Sequence, residues 1–472
     1  MTDEQLRSDV DAFVDEVWED VVRDIDLLVR HDSVEDLAHA EPGRPWGPAA
    51  NDALVEAERM AERLGLEVTD LDGYLGFADV PGASGPERYL ATIAHTDIVP
   101  TGEGWHFPPL EVTRKDGMLI GRGVADDKGP FVLSLYAAAY FARRAAAGEE
   151  LPYTLRCIIG NNEETGMGDV PYYLERYPEP LFCFSPDAEF PLICGEKGLY
   201  GGEFTSAAVA GEKIVELHGG TSGNAIPGSA RALVRADASA LPAAERISVE
   251  DAGEGLARVS ATGVGGHASM PAGTVNAIGV LARYLLANDL AGEVERTFLT
   301  LLVQLTETTD GSATGIAAAD DKFGALTCIA GTVRTVDGRF VQTVDARFPT
   351  STSADAITAT LGALAERYGC TYRQLSGEKP FYISPDSPEI EVLLSTYAEY
   401  SGKPGEAFVI GGGTYARHFA RAVAFGPGGD YESRPEWVGM EHGPDEGVSE
   451  ESLRQALKIY IVSIARLMEL EL

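Results

Sequence analysis

The sequence is short of cysteines, of basic residues and of long apolar runs, and each shortage excludes a class of protein. Its five cysteines are scattered and include no Cys-x-x-Cys pair, which argues against a disulfide framework or a zinc knuckle and favours a reducing compartment. We therefore predict a cytoplasmic location. No stretch approaches the roughly 20 consecutive apolar residues of a membrane helix. The acidic stretch 1–22 lacks the features of a secretory signal and is predicted to be a surface helix.

The charge balance limits the kinds of partner. Basic residues number 37 and acidic residues 74, which gives a net charge of −37. A surface this negative repels phosphate backbones and anionic lipids, so we predict neither a nucleic-acid partner nor a membrane partner. The simplest interpretation of most of this charge is a solubilising surface, since chemistry needs only a few carboxylates.

The length and the order of the patterns predict two domains. A chain of 472 residues exceeds the size at which one hydrophobic core stops growing. Residues 1–200 alternate apolar, β-branched runs with helical runs, and the same pattern returns in 379–472. Buried strands separated by helices predict an α/β domain with a mostly parallel sheet flanked by helices.

The region 201–378 has a different texture. Segments such as SARALVRAD and RFVQTVDARF alternate polar and apolar residues, and helical stretches such as TVNAIGVLARYLLAND lie between them. Alternation of this kind is typical of half-exposed antiparallel strands. The sequence therefore predicts an inserted α+β domain at 201–378, which splits the α/β domain into 1–200 and 379–472.

Acidic residues and a histidine follow three of the predicted strands. His95 and Asp97 end one apolar run, Glu163 and Glu164 end a second, and Asp187 ends a third. In an open α/β sheet the ligand site lies outside the carboxyl ends of the strands. Several carboxylates and an imidazole that meet there indicate a metal site of the zinc or manganese kind.

Five segments carry a family resemblance, in the order AHTDIVP, GRGVADDKGP, NNEETGMGD, SPDAEFP and EHGPDE. They resemble the motifs of the dinuclear metallopeptidases related to carboxypeptidase G, acetylornithine deacetylase and aminoacylase. The variants ADDKGP, SPDAEFP and GGGTYAR look most like the peptidase V branch of dipeptidases. The resemblance covers residues from about 50 to 450, and it implies that the inserted domain is a lid.

The resemblance implies two divalent metal ions, zinc first, with manganese or cobalt as alternatives. The bridging aspartate of the family stands two residues before the lysine of D-x-K-G, which selects Asp126 over Asp127. One ion is expected to take His95 and Asp187, and the other Glu164 and His442. The cluster is expected to hold a bridging hydroxide. The implied metal ligands are His95, Asp126, Glu164, Asp187 and His442.

Two further acidic residues are expected to take part in catalysis. Asp97 lies two residues after His95, so on an extended chain both side chains point to one face, and Asp97 can orient the imidazole. Glu163 resembles the general base of the family. It is expected to take a proton from the metal-bridging water and to return it to the leaving amine.

The inserted domain contributes residues for the substrate. GVGGHASMP resembles the lid motif, which makes His267 a candidate donor to the oxyanion. Arg347 is expected to bind a carboxylate through its guanidinium fork, with Asn224 as a further donor. The run Gly411–Gly413, with Gly412 and Gly413 as the candidate contacts, is expected to present backbone N–H groups to the same carboxylate, although such runs are more often tight turns. A helix-surface role suits Arg417 at least as well as substrate contact.

These features predict a hydrolase, a metallo-dipeptidase that cuts short peptides with a free C-terminal carboxylate. The alternative within the same chemistry is a deacylase or desuccinylase of N-acyl amino acids. A catalytically dead relative that binds peptides is a third possibility, opposed by the presence of every expected ligand and of the base. The resemblance favours a monomer over a dimer, with a small peptide as the binding partner.

Overall fold

The computed structural model describes residues 2–209, 211–428 and 434–472. Its helices are α1 (Asp3–Val29), α2 (Pro48–Arg63), α3 (Lys128–Ala146), α4 (Asp169–Leu174), α5 (Ala277–Ala287), α6 (Glu293–Leu305), α7 (Ala354–Arg367), α8 (Pro388–Ser401) and α9 (Glu450–Leu467). Its strands are β1 (Glu67–Leu71), β2 (Leu75–Val80), β3 (Tyr89–His95), β4 (Thr113–Lys115), β5 (Met118–Ile120), β6 (Thr154–Gly160), β7 (Phe182–Ser185), β8 (Ile193–Glu196), β9 (Gly198–Thr205), β10 (Ile214–Gly219), β11 (Ala225–Ile226), β12 (Ser229–Arg235), β13 (Ile247–Gly253), β14 (Leu256–Thr262), β15 (Gly266–His267), β16 (Ala319–Asp320), β17 (Gly324–Ala325), β18 (Thr327–Val336), β19 (Arg339–Phe348), β20 (Thr371–Glu378), β21 (Phe381–Tyr382), β22 (Phe408–Ile410), β23 (Ala422–Ala424) and β24 (Gly447–Ser449).

The chain divides into two compact units. Unit 1 comprises Met1–Cys194, Ile383–Phe408 and Thr414–Leu472, and unit 2 comprises Gly195–Tyr382 and Val409–Gly413. The sequence assigned 409–413 to the α/β domain, and this assignment is wrong. The segment joins unit 2 because the carbonyl of Ile410 accepts the backbone N–H of Lys197 at 2.9 Å.

The main sheet of unit 1 has the strand order β1-β2-β6-β3-β7-β23-β8. The central strands β6, β3, β7 and β23 run parallel to one another. The other pairs, β1 with β2, β2 with β6 and β23 with β8, are antiparallel. The sheet is therefore mixed, and the predicted parallel arrangement holds only for its centre.

Helices α1, α3 and α9 of unit 1 contact one another, and α3 packs on β3 and β6. Local sequence sets their ends. Ser449 caps α9 by accepting the backbone N–H of Ser452, and Glu450 and Glu451 occupy the first turn, where acidic side chains suit the positive end of the helix dipole.

Unit 2 is built on an antiparallel sheet of order β13-β14-β12-β10-β18-β19-β9-β20. Strands β12 and β14 alternate buried and exposed side chains, as their sequence pattern predicts. The buried side chains form one hydrophobic core with α5, α6 and α7. Unit 2 is therefore an α+β unit, in which helices cover a sheet.

Two further features bear on the sequence predictions. None of the helices in the described ranges is long and apolar enough to span a lipid bilayer. All five cysteines are free thiols, and Cys157, Cys183, Cys194 and Cys328 are buried while Cys370 is half-buried.

Candidate metal centre

The topology of unit 1 brings three strand ends together. Strands β6, β3 and β7 are parallel neighbours, so their carboxyl ends lie at the same edge of the sheet. His95 is the last residue of β3, the Glu163–Glu164 pair follows β6, and Asp187 follows β7. The predicted convergence of these side chains results directly from this strand order.

Asp126 lies at the centre of the cluster. One of its carboxylate oxygens is 3.1 Å from Nε2 of His95, and the other is 2.9 Å from Nε2 of His442. A carboxylate oxygen of Glu164 is 3.1 Å from the same nitrogen of His442, and one of Asp187 is 3.7 Å from Nε2 of His95. The structure thus groups the five expected ligands as two pairs on either side of Asp126.

Asp127, the neighbour of Asp126, has a different position. It is fully buried, and its carboxylate accepts the backbone N–H of His95 at 3.1 Å. Asp126 is therefore the residue of this pair that faces both imidazoles.

Asp97 contacts the cluster through both its backbone and its side chain. Nδ1 of His95 lies 3.0 Å from the carbonyl oxygen of Asp97 and 3.4 Å from its carboxylate. The two carboxylate oxygens accept the backbone N–H groups of Glu163 and Glu164, each at 3.1 Å. Asp97 thus orients the imidazole mainly through its carbonyl, and its carboxylate fixes the loop that carries the two glutamates.

Crowded carboxylates dominate the electrostatics of the cluster. Burial and the neighbouring Asp187 carboxylate raise the pKa of Glu163 well above its ordinary value. Burial and Asp126 raise the pKa of Asp187 to about 8. Burial lowers the pKa of His442, but hydrogen bonds to Asp126 and Glu164 outweigh it and raise that pKa to about 11. Such a site stabilises positive charge.

The donor set fits divalent metal ions. Ligand atoms of His95, Asp126 and Glu164 lie within 4.8 Å of one another, and so do those of His95, Glu163 and Asp187. Imidazole nitrogens and carboxylate oxygens are ligands of zinc and related metals. The other ring nitrogen of His95 is already engaged by Asp97, which is the support that metal-binding histidines usually have.

A buried ion pair, which the sequence did not reveal, supports the loop of Asp126. One carboxylate oxygen of Glu446 accepts the backbone N–H groups of Gly123, Ala125 and Asp126 at 2.9, 3.1 and 3.2 Å. The other pairs with Arg122, whose guanidinium also donates to the carbonyl of His442 at 3.1 Å. The sequence clue to Glu446 is its place in the segment EHGPDE, of which it is the last residue.

In unit 2, the short β11–β15 pair places Asn224 beside His267. Ala225 pairs with His267, and the N–H of Ala268 donates to the carbonyl of Asn224 at 2.9 Å. Nδ1 of His267 lies 2.7 Å from Oγ of Ser269 and accepts the backbone N–H of Ser269 at 3.3 Å. Because a backbone N–H only donates, Nδ1 carries no proton in the neutral ring, and the proton is on Nε2.

Arg347 is already paired within unit 2. Nε and Nη2 of its guanidinium donate to the carboxylate of Asp345 at 2.7 and 3.0 Å, and Nη1 donates to the carbonyl of Gly411 at 3.3 Å. A Cβ on Gly411 would lie 2.7 Å from Cβ of Ser269, so only glycine fits there. No role is predicted from the sequence for Asp345 or Ser269, although both lie inside the motifs that contain Arg347 and His267.

The remaining candidates lie in the GGGTYAR segment. Gly412 and Gly413 complete the unit 2 segment Val409–Gly413. Arg417 lies in the 3₁₀ helix Tyr415–His418 of unit 1.

Fold and site together describe an α/β unit whose strand ends carry a cluster of side chains that could hold metal ions, and comparison with known proteins defines its class. Residues 91–466 match peptidase family M20/M25/M40. The β-Ala-Xaa dipeptidase of Lactobacillus delbrueckii subsp. lactis is 31% identical over 467 residues, which cover 95% of this chain and 96% of that protein. The chain therefore belongs to peptidase family M20/M25/M40 and is a peptide hydrolase.

Solved structures share the fold. Human carnosine dipeptidase 1 superimposes with a TM-score of 0.61 at 14% identity, covering 98% of this chain and 100% of that one. The YXEP protein of Bacillus subtilis, described as a dinuclear metal-binding peptidase, gives a TM-score of 0.51 at 12% identity, with coverage of 97% and 99%. At these identities the comparison supports the fold alone.

Proposed function

We propose that this chain is a metal-dependent dipeptidase that cleaves short peptides with a free C-terminal carboxylate. The proposal depends on the position of Asp126, whose two carboxylate oxygens each lie within 3.1 Å of an imidazole nitrogen. A second carboxylate, Asp187 or Glu164, lies beside each imidazole. The similarity to a β-Ala-Xaa dipeptidase over nearly the whole chain supports dipeptides as the substrate class.

Two zinc ions are the proposed cofactors, with manganese or cobalt as alternatives. His95 and Asp187 would hold one ion and Glu164 and His442 the other, with Asp126 shared between them. When bound, such ions polarise the substrate carbonyl and lower the pKa of water. The fit of the donor set supports this assignment.

Glu163 is the proposed general base. Its carboxylate takes one proton from the attacking water, the water oxygen forms a bond to the carbonyl carbon, and the C–N bond then breaks. The same carboxyl group returns the proton to the leaving amine nitrogen. Its position in a group with His95 and Asp187 supports this role, and so does the backbone hydrogen bond from Glu163 to Asp97.

Residues of unit 2 are the proposed recognition groups. The Nε2–H of His267 donates to the oxyanion of the tetrahedral intermediate, which the hydrogen bond from Ser269 to Nδ1 supports. Arg347 binds the C-terminal carboxylate through the donors that Asp345 leaves available. Asn224, Gly412 and Gly413 supply further donors.

Three predictions accompany this proposal. Unit 2 acts as a lid, the chain works as a monomer, and the protein is cytoplasmic. Each stays a prediction. A measurement of domain motion tests the first, the mass in solution tests the second, and the cellular location tests the third.

A substrate screen tests the function. Chelated protein is supplied with zinc, manganese or cobalt and is assayed against dipeptides, tripeptides, dipeptide amides and N-acyl amino acids. We expect metal-dependent cleavage of dipeptides above all others. A clear preference for N-acyl amino acids would identify a deacylase instead, and the absence of any turnover with all three metals would refute the enzymatic proposal.

A further inference from the structure

The loop after β6 carries both the proposed base Glu163 and the proposed ligand Glu164, so its backbone sets the direction of both side chains. The carboxylate of Asp97 holds the second half of this loop, through the N–H groups of Glu163 and Glu164. The first half, Asn161 and Asn162, is held by side chains that have no role in the proposal above.

These side chains are Asp169 and Tyr415. Oδ2 of Asp169 accepts the backbone N–H of Asn161 at 2.8 Å, and the hydroxyl of Tyr415 accepts that of Asn162 at 3.3 Å. The same hydroxyl donates to Oδ2 of Asp169 at 2.5 Å. Both side chains are fully buried. Each of four successive N–H groups of the loop thus has a buried acceptor.

The ring of Tyr415 also contacts the strand that carries the first ligand. Its centroid lies 6.3 Å from that of His95, with the planes at 80°. A Cβ on Gly160 would lie 2.4 Å from the Tyr415 ring and hydroxyl, so glycine at the end of β6 is needed for this approach. Tyr415 therefore contacts the ends of both β3 and β6.

Asp169 also has a local structural role, and its two carboxylate oxygens have different partners. Oδ1 accepts the N–H of Val170 at the start of α4 at 2.9 Å. Oδ2 is engaged by Asn161 and Tyr415. A local hydrogen bond in the first turn of α4 therefore accounts for one oxygen, and the other is directed at the loop Asn161–Glu164.

We propose that Tyr415 and Asp169 form a positioning pair that fixes the Asn161–Glu164 backbone and thereby aims Glu163 and Glu164. The inference rests on the proposed function, because it takes Glu163 as the base and Glu164 as a ligand. Neither member of the pair touches the substrate; both act through the loop. Side chains that support a metal ligand in this way typically change metal affinity or activity about 10–100-fold when altered.

The test compares Tyr415→Phe with a matched control, Tyr460→Phe. Tyr460 is also fully buried in unit 1, and its hydroxyl has no hydrogen-bond partner among the described residues. Both variants lose one buried hydroxyl and keep the ring. For each, kcat, KM, the metal dissociation constant against a competing chelator and Tm are measured.

We expect Tyr415→Phe to lower kcat about 10–100-fold with little change in KM, or to weaken metal binding by a similar factor. Tyr460→Phe should match the unchanged protein in these quantities. The proposal is overturned if the two variants have the same kcat and the same metal affinity. It is also overturned if the losses of kcat and metal affinity are fully accounted for by a lower Tm.

A double-mutant cycle sharpens the result. Asp169→Asn keeps the size of the side chain but changes its partners, and the pair should act as one unit. The combined variant should therefore lose little more kcat or metal affinity than the worse single variant. If the two single losses multiply in full, the two residues act independently and do not form a pair. If the unchanged protein cleaves no dipeptide, the proposed function fails, and the metal dissociation constants still decide the positioning role.

Discussion

The candidate functional side chains of the two units are held in different ways. In unit 1, His95, Asp97 and Asp169 are fully buried, and buried carboxylates hold the backbone of the ligand loops. In unit 2, His267 and Asn224 are exposed. Arg347 is mostly buried, and its guanidinium is held by the neighbouring carboxylate of Asp345 and by the carbonyl of Gly411.

Under the proposed function, the side chains of unit 1 hold metal ions and those of unit 2 hold a peptide, and the difference suits these two tasks. Metal–ligand distances are fixed to within a few tenths of an ångström, so a ligand loop that shifts loses affinity steeply. Groups that recognise a flexible peptide tolerate more adjustment. We therefore expect changes in unit 1 to have larger effects than changes in unit 2, and to act on metal binding, on kcat or on both.

The largest expected effect comes from the glutamate pair. Glu163→Gln should lower kcat by about 10²–10⁴ and keep its metal, because the amide cannot accept the proton. Glu164→Gln should lose metal, because it removes a charged ligand. Kinetics and metal analysis of both variants provide the measurement, each being the control for the other. Normal turnover in metal-loaded Glu163→Gln would place the base elsewhere.

The next effect concerns the support of this pair. In the unmodified protein, the N–H groups of Glu163 and Glu164 each have their own carboxylate oxygen of Asp97. Asp97→Asn leaves a single acceptor oxygen for both groups, so metal affinity or turnover should fall about 10–100-fold. Asp237→Asn in unit 2 is the control, because Asp237 caps an exposed turn by accepting the N–H of Ser239. Equal metal affinity in the two variants would show that the carboxylate of Asp97 does not matter for the loop.

In unit 2, Arg347→Ala should reduce kcat/KM for dipeptides roughly 10- to 100-fold, the value of a hydrogen-bonded charge. Dipeptide amides lack the terminal charge and should lose much less. The ion pair with Asp345 is lost in both assays, so the ratio of kcat/KM for dipeptides to kcat/KM for dipeptide amides reports substrate recognition alone. Arg373→Ala, at an exposed pair with Glu203, is the control. An equal loss on both substrates would contradict the role of Arg347.

The smallest expected effect is that of Ser269→Ala. It removes the hydroxyl beside Nδ1 of His267 but keeps the backbone N–H, so kcat should fall by no more than about tenfold. Nitrogen NMR of His267 in both proteins reports which ring nitrogen carries the proton. A proton found on Nδ1 in the unchanged protein would refute the tautomer inferred here.

The same contrast explains what the sequence could predict. His95, Glu163 and Asp187 were found because they follow buried parallel strands, where position along the chain determines position in space. The direction of β2 is not encoded by its fully buried run Leu75–Val80, although the preceding Asp72–Gly73, both with positive φ, is a typical hairpin turn. The mixed sheet was missed for this reason.

The supporting residues were not predictable in the same way. Asp169, Glu446 and Tyr415 lie in the segments NNEETGMGD, EHGPDE and GGGTYAR, but a single carboxylate or phenol carries no spacing signal that shows which backbone N–H group it accepts. The membership of 409–413 in unit 2 likewise depends on a hydrogen bond to Lys197, which no local pattern indicates.

The buried thiols have a practical consequence. Four of the five cysteines are buried and the fifth is half-buried, so a thiol introduced at an exposed position would react with a dye well before the native ones. Exposed residues such as Glu4 in unit 1 and Glu245 in unit 2 are suitable places for a donor and an acceptor fluorophore. Energy transfer between them, recorded with and without a slowly cleaved peptide, would show whether the units move relative to each other during turnover.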